Sequence, residues 1–257
     1  MKIILKTLQR EALLLENVYN REGFWFVIRE GTKHVVGWPI DILTAFYYKY
    51  LNRNRPTFIF QGKTYNYFYN RYNVTWKNER SLEIPIIWNL VQENSDKKIL
   101  EIGNVLSHYF ACHHDVVDLY EEYPGVINED IVNFRPAEEY DLIVSISTFE
   151  HIGCWDNKPR EPEKLLAAIQ NVVENILAPE GKLVITIPLG QNTEMEKVLA
   201  SGKISFTYLS CLKRASPRTK EWKEVEWAEI RGKEFNSDGV WCNTDRVFLV
   251  GVIRKLA

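Results

Sequence analysis

Several apolar runs in the middle of the chain end in residues able to hold a small polar ligand. Leu100-Glu101-Ile102-Gly103-Asn104 places a carboxylate inside an apolar run and follows it with a glycine. A buried carboxylate must find donors or a cation, and the glycine permits a turn and close backbone approach. Val116-Val117-Asp118-Leu119-Tyr120 ends in an acid suited to accept from paired hydroxyls, with Leu119 and Tyr120 as an apolar face beside it. Asn128-Glu129-Asp130-Ile131 offers another acid, suited to accept from an amino group. Ser145-Ile146-Ser147-Thr148-Phe149-Glu150-His151 closes on a hydroxyl and an imidazole, and the imidazole can exchange a proton near neutral pH.

The elements that must position these residues follow from the pattern of apolar runs. Strands are expected at Lys98–Ile102, Asp115–Leu119, Gly125–Asn128, Asp141–Ile146 and Lys182–Ile187. A helix is expected over residues 79–94 and a long amphipathic one over Glu163–Leu177, ending at Pro179-Glu180-Gly181. Near-continuous apolar strands separated by helical stretches predict a parallel sheet covered on both faces. In such a sheet, ligands bind outside the carboxyl ends of the strands at the switch point. Ile204–Leu209 and Arg246–Arg254 flank a charged segment, which predicts a late antiparallel pair. The 17-residue interval from Glu101 to Asp118 leaves room for only a brief helix.

Upstream, Leu5, Leu8, Ala12, Leu15 and Val18 follow a helix spacing, and Asp41 could cap a second helix through Tyr50. Gly62-Lys63 between aromatic, β-prone runs predicts a hairpin. The expected division is residues 1–78 as a helical and hairpin extension, a lid or homodimer contact, and residues 79–257 as the main domain.

The chain has 257 residues and a formal charge of −2, which argues against a dedicated nucleic-acid binder. No stretch reads as a signal peptide or membrane span, so a cytoplasmic location is expected. Cys112, Cys154, Cys211 and Cys242 are scattered and form no CxxC. Cys112-His113-His114 has poor zinc spacing, and no metal is expected. Asn78, Glu79 and Arg80 either bridge the extension to the core or close over a cofactor or anionic acceptor. The basic residues Lys213, Arg214, Arg218, Lys220 and Lys223 are expected on a solvated loop.

Taken together, the order LEIG, VVDLY, NEDI, YDLIVSISTFEHI and APEGKLVITIP resembles the class I S-adenosylmethionine-dependent methyltransferases. YNVTWKNERSLEIP and LEIGNVLSHY resemble a less characterised branch of that superfamily. The resemblance covers about residues 80–257, with branch-like features from Thr57. It implies an α/β, Rossmann-like, doubly wound and mostly parallel sheet with a C-terminal antiparallel strand. It also implies S-adenosylmethionine as cofactor. Gly103 and Asn104 would approach its methionine part, with Glu101 on the amino group directly or through water. Asp118 would hold the ribose with Leu119 beside the adenine face, Asp130 and Ile131 would lie on the adenine side, and Ser147 near the sulfonium end. Val105 stands where similar enzymes usually carry a second glycine.

The implied reaction is methyl transfer to a small molecule, possibly a sugar or polysaccharide precursor, with His151 as base or acceptor contact. For His151, a satisfied structural role stands beside the catalytic one. Two other readings stay open. One is a methyltransferase-like binding module that has lost turnover. The other is a nicotinamide-dependent oxidoreductase, which would want a GxGxxG that is absent.

Overall fold

The computed structural model describes residues 56–153, 163–215, 221–233 and 246–256, with the single positions 43, 47, 161 and 235. The helices expected over residues 5–18 and 41–50 lie outside the described residues, except for Leu43 and Tyr47. Cys154, Cys242, Arg218 and Lys220 also lie outside them. The chain divides into two compact units, Met1–Asn54 and Arg55–Ala257, and the second holds the sheet.

That sheet has eight strands: β3 (Ile99–Ile102), β4 (Asp115–Val117), β5 (Val126–Ile127), β6 (Tyr140–Ile146), β7 (Leu177–Pro188), β8 (Tyr208–Arg214), β9 (Trp222–Glu226) and β10 (Val247–Arg254). Their spatial order is β5-β4-β3-β6-β7-β10-β8-β9. Strands β3 to β7 pair in parallel, whereas β10 is antiparallel to both β7 and β8. The chain runs outward from β3 to β5 and then returns to β6 on the other side of β3. The switch point therefore lies between β3 and β6, as the expected fold class requires.

Alternation along the strands builds two cores. Leu100, Ile102, Ile143, Leu183 and Ile185 join one cluster with α2 (Glu163–Asn171) and α3 (Thr193–Ser201). Ile99, Leu142, Val144, Ile146 and Val184 join the other, with α1 (Arg80–Glu93). Residues pointing to both faces are apolar because both faces are covered.

The hairpin β1 (Thr57–Phe60) and β2 (Lys63–Asn66) shares the α1 core. Its turn residues Gln61 and Gly62 have φ of 51° and 70°, the left-handed pair of a two-residue hairpin turn. Phe58, Phe60 and Tyr67 are buried in the cluster, each fully buried Phe contributing about 1.5–3 kcal/mol. Pro85 ties the hairpin down further. It has no N–H to give to the Ser81 carbonyl one turn earlier, and that carbonyl accepts from Phe68 N at 2.9 Å instead.

Several expectations need correction. The connections β3–β4, β4–β5 and β5–β6 carry no α-helix, only short 3-10 and turn segments such as Leu106–His108. The long helix ends at Asn171 and passes into a π-helical turn, Val172–Ile176. Pro179-Glu180-Gly181 is an irregularity inside β7, where the register with β6 slips, rather than a turn before the strand. The strand expected at Ile204–Leu209 lies at Tyr208–Arg214. Lys213 and Arg214 are therefore in β8 and Lys223 in β9, not on a loop. Among the described residues, no helix is long and apolar enough to cross a membrane.

If the hairpin is an integral wall of this core, Phe58→Ala should cost about 3–5 kcal/mol. Urea unfolding measures this. A loss under about 1 kcal/mol would show a hairpin that detaches without consequence.

Candidate functional site

Residues from four elements meet at the switch point: the loop after β3, the turn after β6, the upper end of β7 and the first turn of α1. Glu101 shapes the first of these. Its fully buried carboxylate accepts from Val105 N at 3.0 Å and Leu106 N at 2.9 Å through Oε1. Its Oε2 lies 3.0 Å from His114 Nε2. Glu101 thus holds the loop and a histidine.

The loop begins at Gly103, whose φ is +85°. A Cβ there would meet Thr148 Oγ1 at 2.1 Å, so only glycine allows the β3 loop and the β6 turn to touch. Asn104 is buried. Its N–H donates to Asp118 Oδ2 at 3.0 Å, and its Oδ1 accepts from Ser107 Oγ. Its amide Nδ2 is buried with no hydrogen-bond partner.

Asp118 stands half-buried at the end of β4 and organises the backbone on both sides. Oδ1 accepts from Tyr120 N and Glu121 N, each at 2.8 Å. With Asn104 N on Oδ2, these bonds use three of about four acceptor directions of a carboxylate. Beside it Leu119 and Tyr120 are 45% and 56% exposed, an apolar ledge in solvent. Asp130 caps its own turn, accepting from Val132 N at 3.0 Å. Ile131 is buried in the α2 core. The structure thus brings Gly103, Asn104, Ser147 and Asp118 around one rim, with Leu119 beside Asp118. Glu101 and Ile131 are buried.

The turn after β6 is strained. Ser147 has φ of +42°, uncommon for a residue with a side chain. Its N–H donates to Thr186 O on β7 at 3.0 Å, and its hydroxyl donates to Glu83 Oε1 at 2.7 Å. Arg80, one turn earlier on α1, donates from Nη1 to Ile146 O at 3.1 Å and lies 3.7 Å from Glu83 Oε2. Glu79 pairs with Arg246 at 3.1 Å, and Asn78 Oδ1 accepts from Arg80 N. The Asn-Glu-Arg segment therefore bridges α1 to the sheet at the switch point itself.

Two acids that the sequence pattern does not single out, Glu83 and Glu150, also stand at this turn. Both are buried. Glu83 Oε2 and both oxygens of Glu150 have no hydrogen-bond partner. Burial raises the Glu83 carboxyl against the pull of Arg80. Burial also pushes Glu150 well above the usual carboxylate range, and Glu83 adds to it. The signal for Glu83 was its i,i+3 spacing from Arg80 on one helix face. For Glu150 it was an acid directly preceding the histidine at a strand mouth.

His151 is 38% exposed and its Nε2 lies 3.7 Å from Glu150 Oε1. Burial, with Arg80 nearby, lowers its imidazole to about 4, so it is neutral at physiological pH. Away from this rim, ligand atoms of Glu101, Cys112 and His114 lie within 4.8 Å of one another, closer than the sequence spacing suggested. The Cys112 thiol is pushed up to about 12, by burial first and then by Glu101. It is a protonated neighbour of the Glu101–His114 contact.

No family model matches the chain, and no curated protein matches it in sequence. Among solved structures it is similar to the N-methyltransferase NodS from Bradyrhizobium japonicum WM9 in complex with S-adenosyl-l-homocysteine. That match has 19% identity, 69% of this chain, 88% of that chain and a TM-score of 0.42. A 1,6-didemethyltoxoflavin-N1-methyltransferase from Burkholderia thailandensis aligns at 12% identity over 68% of this chain and 79% of its own, TM-score 0.40. An rRNA methylase from Streptococcus thermophilus aligns at 15% over 68% and 97%, TM-score 0.39. Likeness at these scores leaves the chemistry to the chain's own residues.

Glu150 gives a test of this electrostatic picture. The folded protein keeps a proton on it at pH values where the unfolded chain, near a pKa of about 4.3, has released one. That contribution to stability is present at low pH and is lost as pH rises through the folded pKa. Glu150→Gln should therefore melt above the wild type at about pH 8 and lose this advantage near about pH 4. Thermal unfolding at both values checks it. A variant melting below the wild type at the higher pH would mean that ionised Glu150 has a stabilising partner.

Proposed function

We propose that the chain is an S-adenosylmethionine-dependent methyltransferase acting on a small-molecule acceptor. A sugar or polysaccharide precursor is the acceptor class to test first. The observation carrying this reading is the rim at the switch point. There Asp118 has acceptor capacity left beside the exposed Leu119–Tyr120 ledge, and Asn104 holds a buried, unpartnered amide. An adenosine fits these features: ribose hydroxyls on Asp118, adenine against the ledge, and Asp130 at its far edge.

When bound, the cofactor supplies an electrophilic methyl group on a positive sulfur. The chain's own task is then placement, which can be worth several kcal/mol, about 7–11 at the upper limit. Ser147, held by Glu83 and Thr186, fixes the turn that faces the reacting end. His151, neutral and partly exposed, is the group able to take a proton from an acceptor that keeps one at neutral pH.

A specific observation favours a second reading, a binding module without turnover. Val105 replaces the second glycine, and Glu101 is engaged by the loop itself. Cofactor binding without methyl transfer to any acceptor would select that reading.

S-Adenosylhomocysteine at about 100 times its dissociation constant should stabilise the protein by about 2.7 kcal/mol. NAD should not stabilise it. Asp118→Ala should weaken adenosylhomocysteine binding about tenfold or more by calorimetry. Unchanged affinity would remove Asp118 from the site. Once an acceptor is known, His151→Ala should lower turnover more than cofactor affinity. The acid limb of the wild-type rate profile, assigned to His151, should lie near about 4 rather than near 6.5. An acid limb near 6.5 would mean that another group carries the proton.

A further inference from the structure

The orphaned polar atoms at the switch point form a pattern of their own. Buried polar groups are nearly always hydrogen-bonded, and each exception asks for a partner. Glu83 Oε2, Glu150 Oε1 and Glu150 Oε2 are three buried acceptor atoms without one. Glu83 adds to the rise of the Glu150 carboxyl, and the Arg80 charge pulls against both rises from a position 3.7 Å from Glu83. On the donor side, Asn104 Nδ2 is unpartnered. Only Nη1 of the Arg80 guanidinium is engaged in the contacts to Ile146 O and Glu83. Once a bound cation drives the Glu150 proton to solvent, the three acceptors match the three N–H donors of an ammonium group. A guanidinium and an amide match a carboxylate. Such a set suits an α-amino-acid zwitterion.

We infer that this cluster receives the amino-acid end of the cofactor: Glu83 and Glu150 take its ammonium, and Arg80 with Asn104 takes its carboxylate. The inference rests on the cofactor reading above and relocates one part of it. Glu101, the expected amino-group partner, is bonded to Val105, Leu106 and His114. The loop it holds has Val105 where a second glycine would let the backbone come close. The task passes to α1, whose first turn is tied to the switch point by the Arg80–Ile146 bond and the Glu83–Ser147 bond.

The test is isothermal titration of the full chain with two ligands, S-adenosylhomocysteine and 5′-methylthioadenosine. The second keeps the adenosine and sulfur and lacks the amino-acid end. The wild type should bind adenosylhomocysteine more tightly than methylthioadenosine. Glu83→Gln and Arg80→Gln should each weaken adenosylhomocysteine about ten- to hundredfold, the range for one charge-assisted hydrogen bond. Methylthioadenosine affinity should stay within about twofold. Ser147→Ala, which leaves both charges and frees Glu83, should lower the adenosylhomocysteine affinity more than the methylthioadenosine affinity, and by less than the charge variants do. It serves if the charge variants fail to fold in a thermal melt. Preference for adenosylhomocysteine that survives these substitutions overturns the inference and leaves the cofactor reading standing. Equal weakening of both ligands also overturns it, because the substitutions then act through the fold. If the wild type binds neither ligand, the cofactor reading fails and the inference fails with it.

Discussion

One buried carboxylate sets the geometry on which the rim depends. Glu101 is fully buried inside the parallel sheet, and an unpaired charge there would cost several kcal/mol. It is satisfied by the N–H groups of its own following loop and by His114. Those bonds bend the chain back immediately after β3. The bend presents Asn104 N to Asp118 and brings Gly103 against Thr148. The ends of β3, β4 and β6 are therefore fixed relative to one another by polar contacts as well as by sheet pairing. An apolar residue at position 101 would satisfy the core and release the loop.

The same economy explains why the sheet tolerates missing helices. The connections from β3 to β6 are short loops, so the face above them needs other cover. Part of it comes from α1 and the aromatic residues ahead of it. Phe68 packs edge-on against Tyr109 at 5.3 Å, and Trp88 stacks on Phe110 at 4.1 Å. Aromatic pairs of this kind add about 0.5–1.5 kcal/mol beyond area burial. Because α1 is locked over the sheet in this way, the polar groups on its first turn reach the switch point at defined positions.

Much of the fold was legible in the sequence because parallel strands buried on both faces read as apolar runs. Ile99–Ile102 and Tyr140–Ile146 fall within a residue of their expected bounds. What was illegible lay where another interaction overrode the local pattern. Strand β9 was hidden because Lys223, Glu224 and Glu226 are charged, yet an edge strand keeps such residues in solvent while Trp222 is buried. The missing helices were hidden because loop hydrogen bonds, not periodicity, decide the course after Glu101 and Asp118. At the switch point, Gly103 and Asp118 stand at the strand ends where type and spacing put them. Glu83 did not, because a glutamate on a helix reads as solvent-facing until the sheet that covers it is known. Glu101 shows the reverse. Its type was conspicuous, but its partners were set by the loop and His114, which no spacing rule could supply.

Glu83 and Glu150 bring stability and function into opposition. A core that buries two acids with three unpartnered oxygens is less stable than one carrying amides or apolar groups there. The pairings they have are loose: Arg80 stands 3.7 Å from Glu83 with Nη1 directed to Ile146 O, and the neutral His151 stands 3.7 Å from Glu150. Nor does packing demand carboxylates, since the same cluster accepts Leu82 and Ile84 beside Glu83 on α1. Ser147 adds to the strain, holding a left-handed backbone while its hydroxyl fixes Glu83. Strained backbone, unpaired acids and a half-engaged guanidinium coincide at the point where the strand order reverses, and nowhere else among the described residues do all three meet. In the proposed function such groups gain their missing partners from a bound molecule, and the free energy withheld from folding is then available for binding.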